Sequence, residues 1–332
     1  MQRTVVVIGT WSSGSGAISD YLSAREDFVS PFGVNEFKII SDPMGLHHLF
    51  NNCYNKKDLL YASHAFENYE KYIQKVEQYN VYSSPGIKKK LYDKELLKQT
   101  REFLEKITRF QYYGLPHYKA ATLEFKKKIE YRLKKKFLNI PTQNLKILPI
   151  VCPVGESEFI KEAQKYISRI LNNNINIKDK KKNIVINNGG DILDPIQSTR
   201  YYKNPKIICV LRDPRDIFCG MKMRQASSTP WYDVNIFINW YKYYFGNKVF
   251  KETLKNKKIL KVRFEDFVLN FNKEYQKISK FLDIKKKINL KNNYEKVFNI
   301  KFSKKNVYKS KKFLTFQEQR VIAKELKDYL QW

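Results

Sequence analysis

The chain has 332 residues, 42% of them apolar, enough to bury a full core as one large α/β domain with an insertion or as two modest domains, and too many for a disordered chain. Sixty-three Lys and Arg against 33 Asp and Glu leave a formal net charge of +30, which raises the local concentration of any polyanion. No apolar run approaches the roughly 18 to 20 residues that a membrane span needs, and the four cysteines (Cys53, Cys152, Cys209, Cys219) show neither metal-ligand spacing nor a secreted disulfide framework.

The first element is a β-branched run, Val5-Val6-Val7-Ile8, that stops at Gly9-Thr10-Trp11-Ser12-Ser13-Gly14-Ser15-Gly16-Ala17. Glycines allow a tight backbone curl, the serines add hydroxyl donors, and Ala17, Ile18, Tyr21 and Leu22 then fall on one helical face. Strand, glycine-rich loop and helix in that order make a phosphate site, since the free amides opening the helix point at an anion. A kinase-type loop would carry Lys-Ser or Lys-Thr after Gly14, where this chain has Ser15 and Gly16.

Next comes Asn35-Glu36-Phe37-Lys38-Ile39-Ile40, then Asp42-Pro43-Met44-Gly45 leading into a helix with His47 and His48. Two adjacent histidines point to different sides of a helix, which argues against a metal pair. From about Tyr54 the chain loses its β-branched runs and becomes helical, charged and aromatic. Leu96, Thr100, Phe103, Leu104 and Ile107 keep one face, and Ser83-Ser84-Pro85-Gly86 interrupts the pattern once. This predicts a helical insertion over residues 54–142 within a single 1–332 domain, on the side where a substrate enters. Strand signals return at Lys146–Val151 and Ile184–Ile186, with a helix at Glu156–Leu171 between them.

A second strand-to-helix turn follows at Ile207-Ile208-Cys209-Val210-Leu211-Arg212-Asp213-Pro214-Arg215-Asp216. Pro214 suits the first turn of a helix, and Arg212 closes the strand where its planar fork reaches solvent and matches a phosphate. The alternative is that Arg212 and Arg215 are surface cations paired with Asp213 and Asp216. The strand Lys258–Val262 runs into Arg263-Phe264-Glu265-Asp266-Phe267, whose helix carries Phe267, Phe271, Tyr275, Ile278, Phe281 and Leu282 on one face. A lysine-rich stretch covers Ser303–Lys312, and Thr315-Phe316-Gln317-Glu318 is a capping box that opens the last helix.

These segments together resemble the sulfotransferases that use 3′-phosphoadenosine 5′-phosphosulfate (PAPS), in particular bacterial members similar to the carbohydrate and heparan types. The resemblance covers residues 1–52 and 183–330. It implies a P-loop-like α/β fold, a parallel sheet flanked by helices, with PAPS as co-substrate and no metal. The loop Trp11, Ser12, Ser13, Gly14, Ser15, Gly16 and Ala17 would hold the 5′-phosphosulfate. Arg212 would hold the 3′-phosphate, and Lys309 and Lys311 would lie in a basic loop folded over the nucleotide. Glu36 stands where heparan-type members carry the catalytic base, with His47 or His48, and then Asp42, in reserve. The chain departs from the family twice: Ser12 replaces the loop's Lys or Arg, and Gly220 replaces a Ser eight residues after Arg212. The missing cation is left to Lys38, Lys203, Lys222 or Arg224.

The resemblance therefore implies transfer of a sulfuryl group from PAPS to a hydroxyl, and the charge and the aromatic rings of the insertion (Tyr69, Tyr72, Tyr79, Tyr82, Phe103, Phe110, Tyr112, Tyr113 and Tyr118), expected to stack on sugar faces, point to a carbohydrate or glycolipid acceptor. A cytoplasmic location is expected, with peripheral association with an anionic membrane at its inner face and no specific nucleic acid. The competing readings are a non-catalytic polyanion-binding relative, a P-loop kinase and a nucleic-acid binder. Much of the charge is Lys in a chain also rich in Asn and Ile, as A/T-biased coding produces.

Overall fold

A computed structural model describes residues 2–79, 92, 95–122, 125–137, 148–246, 248–284 and 298–330. The Ser83–Gly86 break lies outside them. In chain order the first half contains β1 (Thr4–Gly9), α1 (Ser15–Ala24), β2 (Phe28–Val29), α2 (Leu46–Tyr54), α3 (Leu59–Tyr79), α4 (Leu96–Lys106), β3 (Thr108–Gly114), α5 (His117–Thr122), α6 (Phe125–Phe137), β4 (Leu148–Pro153) and α7 (Glu156–Asn173). The second half contains β5 (Asn183–Asn187), α8 (Pro195–Ser198), β6 (Lys206–Leu211), α9 (Pro214–Arg224), α10 (Val234–Phe245), α11 (Lys248–Thr253), β7 (Ile259–Arg263), α12 (Phe264–Leu269), α13 (Phe271–Leu282), α14 (Ile300–Lys304), α15 (Ser310–Phe313) and α16 (Phe316–Glu325).

The described residues divide into two compact units, one within 1–40 and 171–332, the other within 41–81 and 92–170. In the first, five parallel strands lie in the order β2-β5-β1-β6-β7. β1 is central, with Val5 against Val185 on one side and Val7 against Ile208 on the other. Its residues Val5, Val6 and Val7 are fully buried, as a strand covered on both faces requires. Val5, Val7, Ile208 and Val210 pack on one face with Ile18, Tyr21 and Leu22 of α1 and with Phe267, Ile278 and Leu282. The single helix expected after β7 is two, α12 and α13, broken at Asn270. Phe267, Tyr275, Ile278 and Leu282 nevertheless reach the core as their spacing requires, with Phe271 and Phe281 packed at its edge.

From β1 the chain crosses to one side of the sheet and from β6 to the other. The β1–β6 boundary is thus the topological switch point, where open α/β sheets place ligands beyond the strand ends. The two strand-to-helix turns read from sequence sit side by side there.

The second unit is not purely helical. β3 and β4 form an antiparallel hairpin with Tyr112 opposite Ile150, so residues 108–114, read as part of a helical insertion, are a strand. The Phe-Gln-Tyr-Tyr run alternates and favours β structure once a partner strand is supplied from 40 residues away. The core of this unit is aromatic: Phe103 stacks on Tyr166 at 4.6 Å, and the Tyr69 hydroxyl donates to Tyr166 Oη at 3.2 Å. Thr100 donates its own proton to the Leu96 carbonyl, so Tyr166 donates to Thr100 at 2.7 Å. Tyr69, Tyr72 and Phe103, expected among the rings facing a substrate, are therefore core residues, since at helical spacing they share the face that packs inward. Phe110, Tyr112 and Tyr118 are exposed. Tyr82 and the Tyr79 side chain lie outside the described residues.

Candidate functional site

The site is built within the first unit, starting from β1. Gly9 ends the strand, and a Cβ there would stand 2.0 Å from Ser13 Oγ. The Gly9 amide donates to Asn188 Oδ1 at 3.0 Å, and the Ser13 amide donates back to the Thr10 carbonyl at 3.0 Å, closing the turn. Ser12 and Gly14 both take positive φ, 61° and 85°. At Gly14 this is required twice over, because a Cβ would also lie 2.3 Å from the Phe264 ring. Gly14 N-caps α1 without any side-chain cap, so the amides of Ser15 and Gly16 are left for a ligand, and a Cβ at Gly16 would meet nothing within 4 Å. The Ser13 hydroxyl is buried without a hydrogen-bond partner. Trp11 leans edge-on against Trp240 and Tyr244 of α10, with ring centroids 5.0 and 5.9 Å away.

The second turn comes off β6. Asp213 caps α9, its side chain accepting the Arg215 amide, and Pro214 occupies the first turn as expected. Arg212, expected to reach solvent, is only 9% exposed. It donates from Nη1 to the Ser12 carbonyl at 2.7 Å and from Nη2 to the Asn306 carbonyl. Its guanidinium lies 4.7 Å from the centre of the Phe264 ring. The end of β6 faces the first loop rather than water, so the planar fork staples the loop to the 303–312 stretch, and its Nε remains unpartnered. Burial holds the Arg212 pKa below its ordinary value, opposed by Asp216 and Glu265. Of the pairings weighed as an alternative, Arg215 holds Asp213 at 2.5 Å near the surface, whereas Arg212 meets Asp216 at 3.7 Å in a pair that is buried.

Asp216 is buried and accepts the amides of Tyr308 and Ser310 at 2.7 and 2.9 Å, which fastens the lysine-rich stretch to α9. That stretch is two short helices joined by a turn, with Lys309 and Lys311 over the rings of Phe313 and Tyr308. The Phe-Glu-Asp triplet after β7 completes the frame. Phe264 packs on Gly14 and Arg212, and buried Glu265 accepts the Asp213 amide at 2.9 Å, burial raising its pKa.

Both departures from the family pattern meet at one point. A Cβ at Gly220 would lie 2.9 Å from Ser12 Cβ, so the glycine makes room for Ser12. One helical turn further on, Arg224 donates to Ser12 Oγ at 2.6 Å and to the Gly220 carbonyl at 3.1 Å. Of the four cations considered for the loop, Arg224 bonds to it. Lys222 is committed to Glu318 at 2.6 Å, Lys38 pairs with Glu36 at 3.3 Å, and Lys203 is exposed. A cation 12 residues beyond Arg212 has no local signal in the sequence.

Glu36 lies in an irregular stretch between two turns, not in a strand, with its side chain 45% exposed. It accepts from Asn188 Nδ2 at 2.5 Å. Asn188, at φ 48°, therefore links Glu36 to the Gly9 amide at the head of the first loop. Sequence reasoning missed it, although Asn-Asn-Gly-Gly directly after a strand is a turn signal. His47 and His48 lie on α2 of the second unit, where burial and the neighbouring histidines lower the His48 pKa. Asp42, in the same unit, accepts from the Tyr72 hydroxyl at 2.9 Å. Among the described residues no group of three His, Cys, Asp or Glu could hold a metal ion, and no described helix is long and apolar enough to cross a membrane.

Residues 191–287, the stretch holding Arg212, Gly220, Arg224 and the Phe-Glu-Asp triplet, match the model of the Sulfotransferase family. Among solved structures the chain is similar to the sulfotransferase STF9 of Mycobacterium avium, at 10% identity over 98% of this chain and 76% of that one, with a TM-score of 0.40. It is similar also to the sulfotransferase STF1 of Mycobacterium tuberculosis H37Rv, at 11% identity over 93% and 77%, with a TM-score of 0.39. No curated protein matches the chain.

Proposed function

We propose that this chain transfers a sulfuryl group from PAPS to a hydroxyl of a carbohydrate or glycolipid acceptor. The observation that carries this reading is the convergence on Ser12 of Arg212, Gly220 and Arg224 from the family-matched segment with a phosphate-type loop from the other end of the chain. The residues fit the donor's 5′ end: open amides at Ser15 and Gly16, an unpartnered Ser13 hydroxyl, and free space at Gly16. At the 3′ end, Lys309 and Lys311 would meet the phosphate, with Arg212 behind them fixing the loop and its free Nε the donor left over.

PAPS supplies the activated sulfuryl group. Arg224 brings to the loop the positive charge that Ser12 lacks and stabilises charge developing on the leaving phosphate. Glu36 takes the acceptor proton, and Asn188 and Lys38 hold its carboxylate in position. The +30 charge supports an acceptor that is itself anionic, or one carried at an anionic membrane, for a protein working in the cytoplasm.

The test is a thermal-shift comparison followed by turnover. 3′-Phosphoadenosine 5′-phosphate at about 100 times its Kd should stabilise the protein by about 2.7 kcal/mol, and ADP, lacking the 3′-phosphate, much less. Glu36→Gln should leave that stabilisation intact and lower sulfuryl transfer about a hundredfold. Equal stabilisation by both nucleotides would remove the PAPS assignment. Nucleotide binding without transfer to any saccharide acceptor would leave a non-catalytic relative of the family.

A further inference from the structure

The second unit contains a helix that the sulfotransferase reading does not use. α6 runs Phe125-Lys126-Lys127-Lys128-Ile129-Glu130-Tyr131-Arg132-Leu133-Lys134-Lys135-Lys136-Phe137, seven basic residues with a single acid. Phe125, Ile129 and Leu133 recur every fourth residue and so share one side of the helix. That spacing ordinarily marks the side facing a core, yet here all three are exposed, at 76%, 40% and 49%. Glu130, the one acid, is taken up by Lys134 within the helix. The same unit exposes Phe110 and Tyr112 at alternate positions of β3, a second apolar pair on one strand face.

We infer that α6 is a membrane-docking helix, which lies in the interface of an anionic lipid surface with Phe125, Ile129 and Leu133 toward the acyl chains and its lysines among the headgroups. A helix of 13 residues is about 20 Å long, ample for in-plane binding and far too short and charged to span. An exposed apolar stripe with exposed cations beside and within it (Lys126, Arg132, Lys136) is what such a surface complements. Lipid removes the stripe from water while headgroup phosphates meet the lysines, each basic group adding attraction that fades within a Debye length. A polysaccharide or nucleic acid would satisfy the lysines alone and leave the stripe wet. The inference concerns binding only and stands whether or not the chain is catalytic.

Co-sedimentation of the full chain with vesicles tests it. Vesicles of phosphatidylcholine with about one third phosphatidylglycerol should retain the protein at 0.15 M salt, and pure phosphatidylcholine vesicles should not. Ile129→Glu with Leu133→Glu should weaken retention at least tenfold while the far-ultraviolet circular dichroism stays native, since both side chains are exposed. Lys126→Gln with Lys128→Gln, Lys134→Gln and Lys136→Gln should do the same. Phe125→Ser, the most exposed of the three, serves if the double glutamate variant does not fold, and should weaken retention several-fold. Retention unchanged by the apolar substitutions would overturn the inference and leave a purely electrostatic polyanion contact, and equal retention on phosphatidylcholine would overturn it as well.

Discussion

At the scale of single residues, burial separates two arginines that read alike in the sequence. Arg212 is a buried staple whose two carbonyl acceptors, on Ser12 and Asn306, have no described alternative partner. Arg212→Ala should therefore lower stability by about 1.5 to 3 kcal/mol in urea unfolding, and Arg212→Lys should recover little, because one ammonium cannot span both carbonyls. Arg224 is exposed and rests on the loop by its tip. Arg224→Ala should leave the unfolding midpoint almost unchanged, within about 0.5 kcal/mol, and weaken nucleotide binding about tenfold or more. The opposite pattern, stability lost at Arg224 and affinity lost alone at Arg212, would exchange their roles. Asp20, on α1, has its carboxyl pushed up from 3.8 to about 7 by burial. Its folded pKa lies above the unfolded one, so its contribution is fully present below about pH 4 and is lost as pH rises through 7. Asp20→Asn should thus stabilise the protein at pH 8, by an amount on the order of a few kcal/mol, and hardly at pH 4. Unfolding curves at the two pH values that shift equally would refute this.

Glycines at the element scale set how closely the loop approaches its neighbours. Gly220 admits Ser12 to the side of α9, and the family's serine at that position would press Cβ against Cβ at 2.9 Å. Gly220→Ser should cost about 1 to 3 kcal/mol by overpacking and loosen the Arg224–Ser12 bond. Gly16, with open space and a helical conformation, behaves oppositely: Gly16→Ala should raise stability by about 0.4 to 1 kcal/mol in the free protein and weaken nucleotide binding, because the methyl enters the space assigned to the ligand. Denaturant unfolding with and without 3′-phosphoadenosine 5′-phosphate distinguishes the two. Ladder and cap interactions elsewhere follow local rules. The capping box at Thr315 and Glu318 forms with both its bonds, and the C-terminal helix starts where the sequence says.

For the whole molecule, charge is the dominant variable. A net +30 repels itself in the compact state, and the screening length falls from about 30 Å at 0.01 M salt to about 8 Å at 0.15 M. The melting temperature should therefore rise with sodium chloride over that range, while vesicle binding through the lysines of α6 weakens over the same range. A melting temperature independent of salt would mean that the ion pairs already neutralise the repulsion locally. Burial pushes the Cys53 and Cys209 thiols up to about 12, and Cys219 also above its ordinary value, so these three buried cysteines should resist alkylation in the native protein.

Much of this molecule was legible in the one-dimensional chain wherever the determining physics is local. β1, the Gly-Ser loop and α1, the Arg-Asp-Pro turn into α9, the strand before Phe264 and the final capping box all rest on periodicity, glycine φ freedom and cap chemistry within about ten residues. Contacts between residues far apart in sequence decided the rest. The pairing of β3 with β4 was set by a partner strand about 40 residues on, while the burial of Arg212 beneath a loop 200 residues earlier, the bridge from Gly9 through Asn188 to Glu36, and the arrival of Arg224 at Ser12 were set by which strand ends of the five-stranded sheet lie side by side. A local pattern carries no record of that meeting, because the loop, the turn and the distal helix each satisfy their own rules whatever they face. Only the order of strands in the sheet brings an arginine from one to the serine that replaces a cation in another.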